Sequence, residues 1–287
     1  MPLLGAHVSA SGGLYRAAEE AAALKLDSFQ FFTRPPQTGR APEISELEAE
    51  KFLSSCGKHG LKTWHVHAPY VINLASPEGR IRGNSIRLLR EELERADRLK
   101  SRSVIAHVGS AAGNDRETGM GMVIDGIRDI LRGYGGNALF AVETTAGSGH
   151  TLCSSFGEIA MILREIDSQK LAVCLDTAHV FAAGYGLETQ EEASKTLGEF
   201  DGTVGIKNLI AVHLNDSRVG RGSRRDRHEH LGYGKIGSEG LFSLLNHRSL
   251  KDVDFIMETP NDARRKEDIA TARRWLSGEM FFPIKKT

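Results

Sequence analysis

Residues 139–177 read LFAVETTAGSGHTLCSSFGEIAMILREIDSQKLAVCLDT. Two short apolar runs, LFAVET (139–144) and AVCLDT (172–177), enclose a segment at 154–168 built from helix formers at helical apolar spacing. Runs of that length suit strands buried on both faces, and the segment between them is long enough for a crossover helix. The stretch is one strand–helix–strand unit. The same unit repeats outward in both directions. Comparable runs stand at 3–9, 28–32, 63–68, 103–109, 210–216 and 255–260, at a mean spacing of roughly 36 residues, room for one strand, one helix and two loops. Helical spacing or helix formers fill 13–25, 43–59, 78–100, 117–133, 189–200, 238–246 and 262–277. The third shows it best, with Ile86, Leu89, Leu93, Ala96 and Leu99 on one stripe. Ser154 and Ser238, each with a Glu nearby, are expected helix starts. Eight alternations, all strand-first, predict an α/β fold: a single-domain (β/α)8 TIM barrel over 1–287, with an open doubly wound sheet as the alternative.

Composition sets the outer limits. The 287 residues include 37 Lys+Arg and 37 Asp+Glu, for a formal charge of zero, with 40% hydrophobic and 26% charged residues. A uniformly basic nucleic-acid binder and a predominantly disordered chain are both excluded, so any polyanion binding is local. Cys56, Cys153 and Cys174 are too few and too separated for a disulfide framework and form no CxxC pair, which reads as cytosolic thiols. No basic-then-apolar leader opens the sequence, and no window of about 18 apolar residues occurs. The expectation is a cytoplasmic monomer without a membrane partner. No linker divides the chain. The Arg- and Gly-rich segment 217–237, after the seventh run, lacks apolar periodicity, and connections of that length in compact domains usually carry function.

In a barrel the C-terminal strand ends form the face where active sites sit. Here the third run ends in His67, the fourth in His107, the fifth in Glu143, the sixth in Asp176 with His179 just beyond, the seventh in His213 and Asp216, and the eighth in Glu258. A lone strand-end histidine is more often a rim residue, and a lone carboxylate more often a helix cap. Together they are harder to dismiss, because carboxylates buried side by side without counter-charge cost several kcal/mol each. No lysine ends these runs, so metal is the economical counter-charge. Imidazole and carboxylate without thiolate suit Zn²⁺, Mn²⁺ or Fe²⁺. The 217–237 segment adds Asp226 and His228, which project to one side of an extended chain. Nine candidates are too many for one ion and about right for three sharing a bridging carboxylate. Arg218, Arg221, Arg224, Arg225 and Arg227 beside them suggest phosphate contact, and with it phosphoester hydrolysis. The GxGxxG match at Gly232–Gly237 follows no strand and is discounted as a nucleotide site. His65 fits the neighbourhood of the metal site or the core equally well.

The strings AHVSASGG (6–13), HAPYVINL (67–74), VETTAG (142–147), LDTAHVFAAGY (175–185), VHLNDS (212–217), GSRRDRHEHLGYGKIG (222–237) and METP (257–260) resemble, in order and over nearly the whole chain, the endonuclease IV family of apurinic/apyrimidinic endonucleases. The resemblance implies a TIM barrel with three zinc ions that cleaves double-stranded DNA 5′ to an abasic site and leaves a 3′-hydroxyl. Carried over residue by residue, His67, His107 and Glu143 would hold the first ion; Glu143, Asp176, His213 and Glu258 the second; His179, Asp226 and His228 the third. Glu143 would bridge, and Glu258 would contact the attacking hydroxide. Tyr70 would wedge at the abasic site and Arg227 would contact the DNA backbone. The departures concern DNA: in Arg34–Gly39, Gln37 stands where the family has Arg and Gly39 where it has a bulky residue such as Trp, and Val108 replaces a common Pro.

Two alternatives remain at this level. A sugar isomerase or epimerase on a xylose-isomerase-like barrel needs only Glu143, Asp176, His213 and Glu258 around one metal, and leaves the other five candidates without a purpose. A non-catalytic DNA-binding relative would fit the altered loop. Zinc content separates the readings.

Overall fold

The computed structural model describes residues 1–39 and 41–283. Seven of the expected runs form β1 (Leu4–His7), β2 (Ser28–Phe31), β3 (Thr63–His67), β4 (Ser103–Ala106), β5 (Leu139–Glu143), β6 (Leu171–Asp176) and β7 (Leu209–His213). A separate antiparallel hairpin of β8 (Asp216–Ser217) and β9 (His228–Glu229) precedes the eighth run, β10 (Asp254–Met257). β1 pairs in parallel with both β2 and β10, so the sheet closes in the order β1-β10-β7-β6-β5-β4-β3-β2. Closure excludes the open-sheet alternative.

The described helices are α1 (Tyr15–Ala23), α2 (Glu46–Lys58), α3 (Gly79–Arg98), α4 (Arg116–Leu131), α5 (Phe156–Ile166), α6 (Thr177–Ala183), α7 (Gln190–Thr203), α8 (Gly237–Leu245) and α9 (Arg265–Leu276). They cover the outward strand faces, where Phe29, Phe31, Phe52 and Trp64 stack between β2, β3 and α2. α6 has no counterpart in the apolar periodicity. It is seven residues long and buried along most of its circumference, so it shows no amphipathic stripe.

Two expected helix starts are corrected. α5 is capped by Ser155, whose hydroxyl accepts from the Glu158 amide, while Glu158 accepts from the amide of Ser154; the two serines thus take the two halves of a capping box, with Ser155 at the cap. Ser238 lies inside α8, and the cap position, Ile236, has no side-chain cap of its own. The Asp216 carboxylate serves instead, accepting from the Ile236 and Gly237 amides.

Cys56, Cys153 and Cys174 are free and buried, and burial pushes all three thiols up, Cys56 to about 12 and Cys174 to about 11. No described helix is long and apolar enough to cross a membrane.

Candidate active site

Strand alternation decides what the barrel mouth presents. An apolar layer of Ile105, Ala141, Ala172, Cys174 and Ala211 fills the barrel. Two positions beyond Ile105, Ala141, Cys174 and Ala211 come His107, Glu143, Asp176 and His213, on the same inward faces. Glu143, Asp176 and His213 are fully buried, His67 and His179 nearly so, and Glu258 is half-buried. His65 sits on the inner side of β3 away from the mouth, between Ser103 Oγ at 2.8 Å and Asp254 Oδ2 at 2.9 Å, so its place is in the core.

Glu143 is the hub. His67 Nε2 lies 3.3 Å and His107 Nε2 3.5 Å from its Oε2, and His213 Nδ1 lies 3.0 Å from its Oε1. His213 Nδ1 also stands 3.2 Å from Glu258 Oε2 and 3.8 Å from Asp176 Oδ2. Asp226 places its two oxygens 3.2 Å from His179 Nε2 and 3.2 Å from His228 Nε2. His228 Nε2 is also 3.5 Å from Asp176 Oδ2. Three sets have donor atoms close enough to hold an ion: His67, His107 and Glu143; Glu143, Asp176, His213 and Glu258; and Asp176, His179 and His228. The third set brings in Asp176 where the sequence pointed to Asp226, which sits beside it on the more exposed side.

The far nitrogens of three of these histidines lie against backbone: His67 Nδ1 is 2.7 Å from the Ala68 carbonyl, His179 Nδ1 2.9 Å from that of Thr144, and His228 Nδ1 3.2 Å from that of Glu258. A ring that donates from Nδ1 turns its Nε2 lone pair toward the carboxylates. Among the described residues, His107 Nδ1 and His228 Nε2 are buried without a formed hydrogen bond, the latter holding only its ion-pair contacts to Asp226 and Asp176.

Electrostatics follow from this crowding. Burial alone would raise the Glu143 carboxyl, yet the charges of His107 and His213 and hydrogen bonds from His179 and His213 hold it well below the ordinary range. Glu258 is likewise held low against burial, chiefly by His213. His179 and His213 rise well above the ordinary imidazole value against the burial that lowers them, His179 through Asp176, Asp226 and Glu143 and His213 through Cys174, Glu258 and Glu143. Asp226 is lowered to about 2, burial being outweighed by His179 and His228.

The mouth opens into a cavity of about 900 Å³ lined by His7, Phe32, His67, Tyr70, Arg227 and Glu258, among others. The sequence model of the family described as Xylose isomerase-like TIM barrel matches residues 18–278. The probable endonuclease 4 of Haloarcula marismortui is 37% identical over 262 residues, 91% of this chain and 94% of that protein. That of Carboxydothermus hydrogenoformans is 38% identical over 257 residues, 90% of each. The chain belongs to the endonuclease IV family. The crystal structure of endonuclease IV from Thermus thermophilus superposes with a TM-score of 0.87 at 36% identity, covering 96% of this chain and all of that one. A D-tagatose 3-epimerase-like protein superposes at 0.71 with 20% identity over 96% of both chains, a likeness of fold alone.

Other expected residues of this endonuclease IV family member take varied places. Tyr70 is 65% exposed at the rim, its ring edge-on to Phe32 and His67. Arg227 is exposed and lines the cavity. Gln37 is exposed in a loop that Arg34 fastens from behind: Arg34 is buried and bonds Glu92, itself fully buried, and the Gly39 carbonyl. Gly39 packs against Leu88 and Val71 with a positive φ, so a side chain there would meet both strain and Leu88. Of the loop arginines, Arg218 pairs with Glu229, and Arg221 with Glu188 and Glu192.

Asp216 is corrected from a metal-capable strand end to an anchor. It accepts from the amides of Ser217, Gly232, Gly234, Ile236 and Gly237. The discounted GxGxxG match thereby gains its physical reason: a Cβ on Gly234 would stand 2.3 Å from Asp216 Oδ1. Three residues escaped the sequence reading. His7 ends β1 as His67 ends β3, and lies 3.5 Å from Glu258. Asn215 donates to Asp176 at 2.7 Å and accepts from the Glu258 amide at 2.8 Å. Gln30, the one polar side chain within FQFF, contacts both His213 and Glu258.

Proposed function

We propose that this protein is a zinc-dependent AP endonuclease of base excision repair, hydrolysing the DNA phosphodiester 5′ to an abasic site to leave a 3′-hydroxyl. The supporting observation is the completeness of the donor set at one mouth, well beyond what a one-metal epimerase would use. Nitrogen and oxygen donors without thiolate, together with His228 Nε2, which faces Asp176 and Asp226 without a formed hydrogen bond, fit zinc. His67, His107 and Glu143 would hold one ion; Glu143, Asp176, His213 and Glu258 a second; His179 and His228 a third, with Asp226 and Asp176 beside them. When bound, such ions neutralise phosphoryl charge and make water a nucleophile at neutral pH.

The chain's own residues do the rest. Glu258, held through its amide by Asn215, presents Oε2 to accept the proton of the attacking water. Tyr70, supported by Phe32 and His67, fills space beside the abasic nucleotide, and Arg227 meets a backbone phosphate. Segment 217–237, tied down by Asp216, holds Asp226, Arg227 and His228 in register with the strands. Every group comes from one chain, so a monomer suffices.

The test is incision of an abasic-site duplex by zinc-replete protein, with EDTA and an intact duplex as controls. Nicking 5′ to the lesion, abolished by EDTA and by Glu258→Gln in a folded variant holding close to three zinc ions per chain, is the expected result. Undiminished turnover in Glu258→Gln would refute the role given to Glu258, and zinc near one ion per chain would favour the epimerase.

A further inference from the structure

Gln30 sits on the inward face of β2, fully buried, in register with His7 of β1 and His65 of β3. Its amide nitrogen is 2.6 Å from Glu258 Oε1 and 2.9 Å from His7 Nδ1, and its amide oxygen is 2.9 Å from His213 Nε2. The carboxylate dictates this orientation. Turned over, the amide would set its oxygen against Glu258 Oε1, oxygen to oxygen, and its nitrogen against His213.

His213 differs from His67, His179 and His228 in what holds its far nitrogen. His67, His179 and His228 place Nδ1 on a backbone carbonyl and bring Nε2 to a carboxylate, although His179 Nδ1 also stands 3.5 Å from Glu143 Oε1. His213 aims Nδ1 at Glu143, Glu258 and Asp176 and turns Nε2 away from them. Among the described residues it is the Gln30 side chain, not a backbone carbonyl, that meets that Nε2. An amide oxygen only accepts, so Nε2 carries the hydrogen and the lone pair of the neutral ring is on Nδ1, inside the four-residue set with Glu143, Asp176 and Glu258.

We propose that Gln30 is a positioning residue that selects the Nε2–H tautomer of His213, leaving the Nδ1 lone pair for metal binding, and, through the other end of the same amide, fixes Oε1 of Glu258 so that Oε2 points into the site. The proposal rests on the reading of the site as a zinc centre. Groups that orient a ligand in this way are typically worth about 10–100-fold in metal affinity.

Two measurements on the zinc-loaded protein test it. Nitrogen-15 NMR of the His213 ring should find the proton on Nε2 in the wild type; a proton on Nδ1 overturns the proposal without any variant. In Gln30→Met, matched in length but without donor or acceptor, one zinc ion should be lost to a competing chelator at about 10–100-fold lower chelator concentration, with the others retained. The Nε2 proton should then exchange rapidly with solvent. In Gln30→Glu, which keeps an acceptor for Nε2 but loses the donor to Glu258, the Nε2 proton signal should persist while the hold on Glu258 is lost. Gln30→Met that folds and keeps every zinc ion as tightly as the wild type, with the Nε2 proton unchanged, overturns the proposal. Absent incision with the Nε2 proton in place would count against the proposed function alone, whereas incision with the proton on Nδ1 would count against Gln30 alone.

Discussion

His179 and His213 carry elevated pKa values because, against burial, Asp176, Asp226 and Glu143 act on His179 while Cys174, Glu258 and Glu143 act on His213, so in the metal-free protein both rings keep their protons to higher pH than a free imidazole. A pKa raised on folding contributes stability that is fully present below the unfolded value, about 6.5, and is lost as pH rises through the folded value. The apo protein should therefore lose that contribution on the alkaline side. Zinc displaces the same protons, so its binding should tighten as pH rises over that range, with opposite sign. We expect a net release of protons when zinc loads at pH 7. Calorimetry in buffers of different ionisation enthalpy measures this, and zero release would show that the rings are neutral beforehand.

Among the elements, segment 217–237 depends most on a single side chain. Asp216→Ala would leave the buried amides of Gly232, Gly234 and Ile236 without their acceptor and α8 without its cap, a loss of about 3 kcal/mol or more. The denaturant midpoint should fall, amide exchange at Gly234 and Ile236 should accelerate, and His228 should hold zinc less well; an unchanged midpoint would contradict the anchoring role. This segment also shows where the sequence is legible. Barrel strands declare themselves because both faces are apolar, and strand ends declare themselves because polar groups such as His67 and Glu143 interrupt that pattern. α6 does not, being apolar on nearly every side. Asp216 and Asp176 present the same residue type at a strand end, yet one turns to backbone amides and the other to the mouth, and that choice depends on glycines 16 or more positions away. Gln30 is visible as a polar interruption, but two of its three partners are 183 and 228 residues distant in sequence.

For the whole molecule, a formal charge of zero conceals an uneven distribution. Four carboxylates are committed to the mouth, and three divalent ions would add about six positive charges there. Arg218 and Arg221 are already paired with glutamates, and of Arg224, Arg225 and Arg227 it is Arg227 that lines the cavity wall, which makes it the loop arginine best placed for DNA. Arg227→Ala should weaken DNA binding evenly across sequences and lower the slope of log affinity against log salt by about 1. Titrations from low to moderate salt read that slope directly, and an unchanged value removes Arg227 from the phosphate contacts. The cysteines have a different consequence. With Cys56, Cys153 and Cys174 all buried and their thiols raised, the folded chain offers almost no thiolate to peroxide or to an alkylating reagent. Their modification must wait for the barrel to open, so labelling each thiol times the opening of its own neighbourhood: the α2 layer, the β5–α5 loop and the floor beneath His213.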